Sequence, residues 1–180
     1  LMAARAGAPA AGLVYSFARG VFRDGHVERF GQPHALIQLY ERNYIHLSTS
    51  VFRRSLVSDG CRFDETLDIL EDWDFFLQLA QRTAFHFVPL QSFDWHADAG
   101  DSGAGGGSNQ DDARFAAFRD RVYAKWEPQR AAHAARVEPL LEAASAFAQV
   151  ADYAAAEAKC RAALVASPND PWALILLAMI

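Results

Sequence analysis

The sequence predicts an α/β layer followed by an all-α helical-hairpin segment, and three observations carry that expectation. Strand-like and helix-like stretches alternate through residues 1–97, the pattern of an α/β layer. A glycine-rich stretch at 98–112 (DAGDSGAGGGSNQDD) then interrupts them. Beyond it the apolar residues recur at helical spacing. With 52% of its 180 residues hydrophobic and 12% aromatic, the chain can bury a core and does not have the composition of a disordered polymer.

Residues 12–18 (GLVYSFA) are rich in aromatic and β-favouring side chains and read as a buried strand. Residues 21–27 read as a hairpin, with Asp24-Gly25 supplying the positive φ angles of a tight turn. Pro33 opens a short helix whose Leu36, Ile37 and Tyr40 share a face. Residues 44–51 read as extended, and residues 52–57 as a helical turn ended by Asp59-Gly60. A helix starts at Glu71 and runs to about Arg82, because Trp73, Phe76, Leu77 and Ala80 recur at i, i+3, i+4 and i+7. Two short strands follow at 84–89 and 91–95. The stretch at 98–112 is too small and polar to order itself, so it reads as a flexible connection or a lid. It contains no Gly-Lys-Ser/Thr and no phosphate-cradle spacing. Asp111 or Asp112 then caps a helix with Phe115, Phe118, Val122 and Trp126 on one face. Pro128, Pro139 and Pro168 punctuate the helical region, which divides into a connecting helix at 113–136 and a hairpin at 137–180.

Composition excludes several functional classes. The net charge is -5, and Arg53-Arg54 is the one adjacent basic pair, far too little for a surface that tracks nucleic acid. Cys61 and Cys160 match no metal or redox spacing and suit a reducing, cytoplasmic compartment. No segment reaches the roughly 18 apolar residues of a membrane span, so no membrane segment is expected. The chain starts in a helix-like stretch without a signal pattern and stops on the apolar stretch 174–180, which suggests a piece of a longer protein.

The chemistry concentrates at Glu71-Asp72-Trp73-Asp74. Two adjacent carboxylates stand at the mouth of a helix that must pack into a core, so one of them can face a pocket and act as a general base. The alternative is that Glu71 and Asp72 merely cap the helix. A helix N-terminus favours the ionised carboxylate by about 0.3–1 kcal/mol, whereas desolvation by nearby aromatic rings pushes the other way. The sequence leaves open which effect wins.

Three motifs in order resemble the C-terminal half of the inverting family 2 glycosyltransferases, which have the GT-A fold. They are Asn43-Tyr44-Ile45 leading to Val51-Phe52-Arg53-Arg54-Ser55-Leu56-Val57, then Asp59-Gly60-Cys61-Arg62-Phe63-Asp64-Glu65, then Glu71-Asp72-Trp73-Asp74-Phe75-Phe76-Leu77. The Gly60-Cys61-Arg62-Phe63 stretch departs from the family's Gly-Gly-Phe by a replaced glycine and one added residue. The resemblance covers residues 1–97 and implies the acceptor-side half of a partial GT-A domain. It implies that Asp72 is the catalytic base, with Glu71 positioning the acceptor or supporting the base. Trp73 becomes a sugar-stacking platform or a core residue, and Asp64-Glu65 lies near the acceptor or orders its own loop. It also implies that His96 supplies the divalent ion, manganese or magnesium, that bridges a donor's phosphates. Asp74 is expected in solvent or paired with Arg53, Arg54 or Arg82. His26, His34, His46, His86 and His133 have no partners at ligand spacing. The family's nucleotide-binding half and its Asp-X-Asp motif are not in these residues. The implied activity is sugar transfer from a nucleotide-sugar donor to a hydroxyl acceptor, by a fragment that needs its donor-binding half.

A second resemblance, to a tetratricopeptide repeat, rests on Ala151-Asp152-Tyr153, Ala156, Ala163 and Pro168. Leu140, Ala144 and Phe147 fit the first helix, and Pro171-Trp172-Ala173-Leu174 begins a further unit 34 residues on from Val137-Glu138-Pro139-Leu140. It implies a protein partner held by helical repeats. The alternatives are a generic helical hairpin and, for the whole chain, a non-catalytic interaction module built on a degenerate transferase scaffold.

Overall fold

The computed structural model describes Gly7, residues 10–99 and residues 110–180. The helix-like start at residues 1–5 and most of the glycine-rich stretch lie outside the described residues. The chain divides into two compact units, Leu1–Pro33 with Arg42–Lys125 and His34–Glu41 with Trp126–Ile180.

The first unit is organised around β1 (Ala11–Val21), which pairs with every other strand of a mixed four-stranded sheet. Along one edge runs β4 (Ala84–His96), parallel to it. The other edge is shared by two antiparallel partners, β3 (Ser50–Phe52) against Leu13 to Tyr15 and β2 (Val27–Phe30) against Ala18 to Val21. Leu13, Val14, Tyr15 and Ala18 are fully buried, which is why this strand reads as an unbroken apolar run rather than an alternating one. The Asp24-Gly25 turn forms, though only Gly25 takes a positive φ, at 86°, and Asp24 does not; the Phe22 N–H donates to the His26 carbonyl at 2.9 Å.

Residues 84–96 correct the expectation of two strands. They form one strand, and the register with β1 slips between Ser16, opposite Val88, and Phe17, opposite Gln91. Pro89, which has no N–H to offer a ladder, falls in that slip. Residues 44–51 also differ, since a 3-10 turn occupies Leu47–Thr49 before β3 begins. Local bonds hold the turn, with the Ser48 N–H on His46 Nδ1 at 3.3 Å and the Thr49 hydroxyl on the His46 carbonyl at 2.8 Å.

Helix α1 (Leu36–Glu41) belongs to the second unit. In the first, α2 (Arg54–Ser58) ends near Gly60 at φ 101°, and α3 (Glu71–Ala80) buries Trp73, Phe76 and Leu77 from the predicted stripe. Helix α4 (Asp112–Gln149) begins on an Asp111 carboxylate that accepts from the Arg114 N–H at 2.9 Å. It passes through Pro128 and Pro139 without a break, and one helix runs across positions 136 and 137. Both prolines are exposed, where water can take the carbonyls they leave unpaired.

In the second unit α4 is followed by α5 (Tyr153–Ala166) and α6 (Pro171–Met179). Ala151 turns the chain at φ 60°, and Asp152 caps α5 on the Ala155 N–H at 3.1 Å. Asp170, almost fully buried, caps α6 through the Trp172 and Ala173 N–H groups. Ala144, Ala156, Cys160, Ala163 and Ala173 are buried, and such small side chains let helix backbones approach closely. His133, assigned nothing from sequence, is buried with its Nε2 3.1 Å from the Ser167 hydroxyl. No helix among the described residues is long and apolar enough to cross a membrane.

Candidate active site

The entrance of α3 brings the site together. Leu70 precedes the helix in the left-handed region, at φ 64° and ψ 15°, a conformation that costs a side-chain-bearing residue of order 1 kcal/mol. Its carbonyl accepts from the Asp74 N–H at 3.2 Å, so the strained residue also closes the first helical turn. Glu71, Asp72 and Asp74 all stand in that turn.

Asp72 is partly buried. Its Oδ1 accepts the backbone N–H of Trp73 at 2.7 Å. Burial pushes its carboxyl up to about 6, with the neighbouring Glu71 charge adding to the rise and the Trp73 and Asn43 donors opposing it. The contest left open by the sequence is therefore decided for desolvation. A carboxyl merely capping a helix in water would be pulled down instead.

Asp74 corrects the expectation of a solvated carboxylate. It is fully buried, and Lys125 of α4 lies 2.9 Å from its Oδ1, while Gln78 Nε2 donates to its Oδ2 at 2.7 Å. The same ammonium reaches Asp64 at 2.7 Å. Asp64 also accepts the Thr66 N–H and hydroxyl, so it orders its own turn, and Lys125 together with these donors holds its carboxyl well below the usual range. Glu65 is exposed in that turn. Trp73, 2% exposed and edge-on to Tyr123 at 5.4 Å, is a core residue and offers no open face for a sugar. Phe63, 42% exposed and stacked on Phe75 at 4.6 Å, is the more accessible aromatic ring.

His96 ends β4 opposite Val21, with its side chain exposed. Among the described residues no three His, Cys, Asp or Glu side chains are grouped to hold a metal ion. The metal role that the resemblance implies for His96 therefore finds no such group around it among the described residues.

Sequence reasoning missed Lys125, which lies 51 residues from Asp74 and 61 from Asp64, too far for any local pattern to reveal. It placed Asn43 in a motif without giving it a role. What the assembled site can do is accept a proton on Asp72 from a group docked against α3. No family model, curated protein or solved structure matches the chain.

Proposed function

We propose that the first unit is the acceptor-side half of an inverting glycosyltransferase and that Asp72 is its base. The observation that carries this reading is a carboxyl raised to about 6 at the entrance of a helix packed into the core. Such a group is still mostly ionised at neutral pH, yet it holds a proton roughly a hundredfold more tightly than an ordinary aspartate. As the acceptor oxygen attacks the anomeric carbon, its proton passes to the Asp72 carboxylate. The new C–O bond forms as the bond to the nucleoside diphosphate breaks, and the diphosphate leaves with the electron pair, inverting the centre. Burial and, after it, the Glu71 charge keep the Asp72 carboxyl high, and orienting the acceptor is the role proposed for Glu71. Asp64 and Lys125 shape the turn beside it.

The strained Leu70 supports the same reading, because backbone strain collects where function demands a fixed geometry. In the natural protein, supplied with nucleotide-sugar donors and hydroxyl acceptors, Asp72→Asn should lower transfer by ~10²–10⁴-fold with donor binding retained. Unchanged turnover would rule the reading out.

A specific observation also favours a role in binding protein for the second unit. Helix α6 exposes Trp172, Leu174, Ile175 and Met179, and the helix–turn–helix order with buried Ala156 and Ala163 supports a tetratricopeptide-like hairpin. If the Asp72 variant keeps full function in the cell while the α6 face is needed, the chain is an interaction module on a transferase-like scaffold.

A further inference from the structure

Helix α5 carries an exposed ridge of period four. Tyr153, Glu157, Arg161 and Val165 follow one another along it, and all four side chains are open to solvent. Ridges at this spacing are the ones by which helices most often interdigitate. The two inner positions carry opposite charges, and the two outer ones are an aromatic and an aliphatic residue. Arg161 closes on Glu157 within the helix, with Nε at 2.8 Å and Nη2 at 2.6 Å, and both contacts fall on Oε1. The carboxylate has its second oxygen to offer a second guanidinium. Beside the ridge runs a groove of about 560 Å³, bounded on the α6 side by Leu177 and Ile180. Helix α6 has no charged side chain from Pro171 to Met179, yet Trp172, Leu174, Ile175 and Met179 are exposed. A helix that is apolar all round is one that packs all round.

The order of the ridge is its own complement. Turned end for end about a two-fold axis midway between Glu157 and Arg161, Tyr153 meets the partner's Val165 and Glu157 meets the partner's Arg161. Each contact then occurs twice. The four charges alternate in sign around the axis, whereas a parallel pairing would set like charges together. We infer that the second unit is a dimerisation surface, on which α5 packs antiparallel against α5 of a second copy of this chain, each ridge set into the other's groove. This rests on the reading of the second unit as a protein-binding surface and names its partner. Tyr153, Val165 and the exposed α6 residues leave on the order of 700 Å² open, near the ~800 Å² that each partner gives to a standard interface. The apolar area supplies the affinity, and the charges set register and direction.

Sedimentation velocity on the purified 180-residue chain across a concentration series reads the dimer directly. Arg161→Glu and Glu157→Arg each bring like charges together twice across the axis, and each alone should weaken the dimer by about 10–100-fold. Mixing the two variants restores opposite signs at every contact, and so does the double variant E157R/R161E. Both should recover the dimer. Recovery also shows that the single reversals acted on the interface and left the fold intact, since an unfolded chain would not be rescued by its complement. A wild-type chain that stays monomeric throughout the series overturns the proposal. So does a dimer that the single reversals leave unweakened, or one that mixing fails to restore, because unspecific apolar association takes no account of the charges. If the chain is monomeric while the α6 face is still needed in the cell, the second unit binds a different protein, and this proposal falls without that reading.

Discussion

Replacing the proposed base should make the protein more stable. Asp72 is held up to about 6 against an ordinary 3.8, so at neutral pH the fold pays to keep that carboxylate charged. The difference converts to about 3 kcal/mol as an upper bound, and partial solvent screening of the side chain reduces it to about 2 kcal/mol. Asp72→Asn keeps the shape and an oxygen for the Trp73 N–H while removing the charge. At pH 8 it should raise the unfolding midpoint by ~4–8 °C for a chain of this size. The sign has an internal control. A raised folded pKa gives a contribution fully present below 3.8 and lost as pH rises through about 6, so wild type should draw level with the variant as pH falls across that window. Denaturation of both proteins at pH 8, 6 and 4, followed by the fluorescence of buried Trp73, makes the comparison. A variant that is less stable at pH 8, or an advantage that does not change with pH, refutes the burial argument.

Two other outcomes follow from the charges. Lys125→Met removes the ammonium beside fully buried Asp74, and should destabilise the first unit by about 2–3 kcal/mol in urea unfolding, toward the low side for a broken buried pair because Lys125 is 41% exposed. In the second unit burial lowers His34 to about 4 and also lowers His133, with Arg136 adding to the second effect. Depressed folded values give stability that is present above 6.5 and lost as pH falls, through about 4 for His34. Acid should therefore weaken this unit over the same range in which it relieves Asp72, and His34→Gln should flatten the decline when hydrogen exchange is measured on residues 126–180.

The elements legible in the sequence were those set by local pattern. The α3 stripe, the β1 run, the Asp24-Gly25 turn and the Asp111 cap all follow from spacing or from one residue's conformational preference. What escaped depended on partners distant along the chain or on solvent. Pro89 reads as a strand break, yet a register slip accommodates it. Pro128 and Pro139 read as punctuation of the helical region, yet exposure to water lets one helix pass through both. At the site, the acidic cluster was visible but its division of labour was not. Asp72 and Asp74 are two residues apart in one helical turn. One is desolvated and held high; the other is buried against a lysine that the sequence places 51 residues away.

The central position of β1 has a consequence for how the chain acquires its shape. Its eleven mostly apolar residues are synthesised well before the neighbour that covers their whole length, β4, which begins only at Ala84. Pairing so distant in sequence is slow, since the intervening loop must close before any of it is rewarded. Until then one long border of the nascent strand stands open to other chains, which makes residues 11–21 the segment where crowding or haste would first produce aggregates.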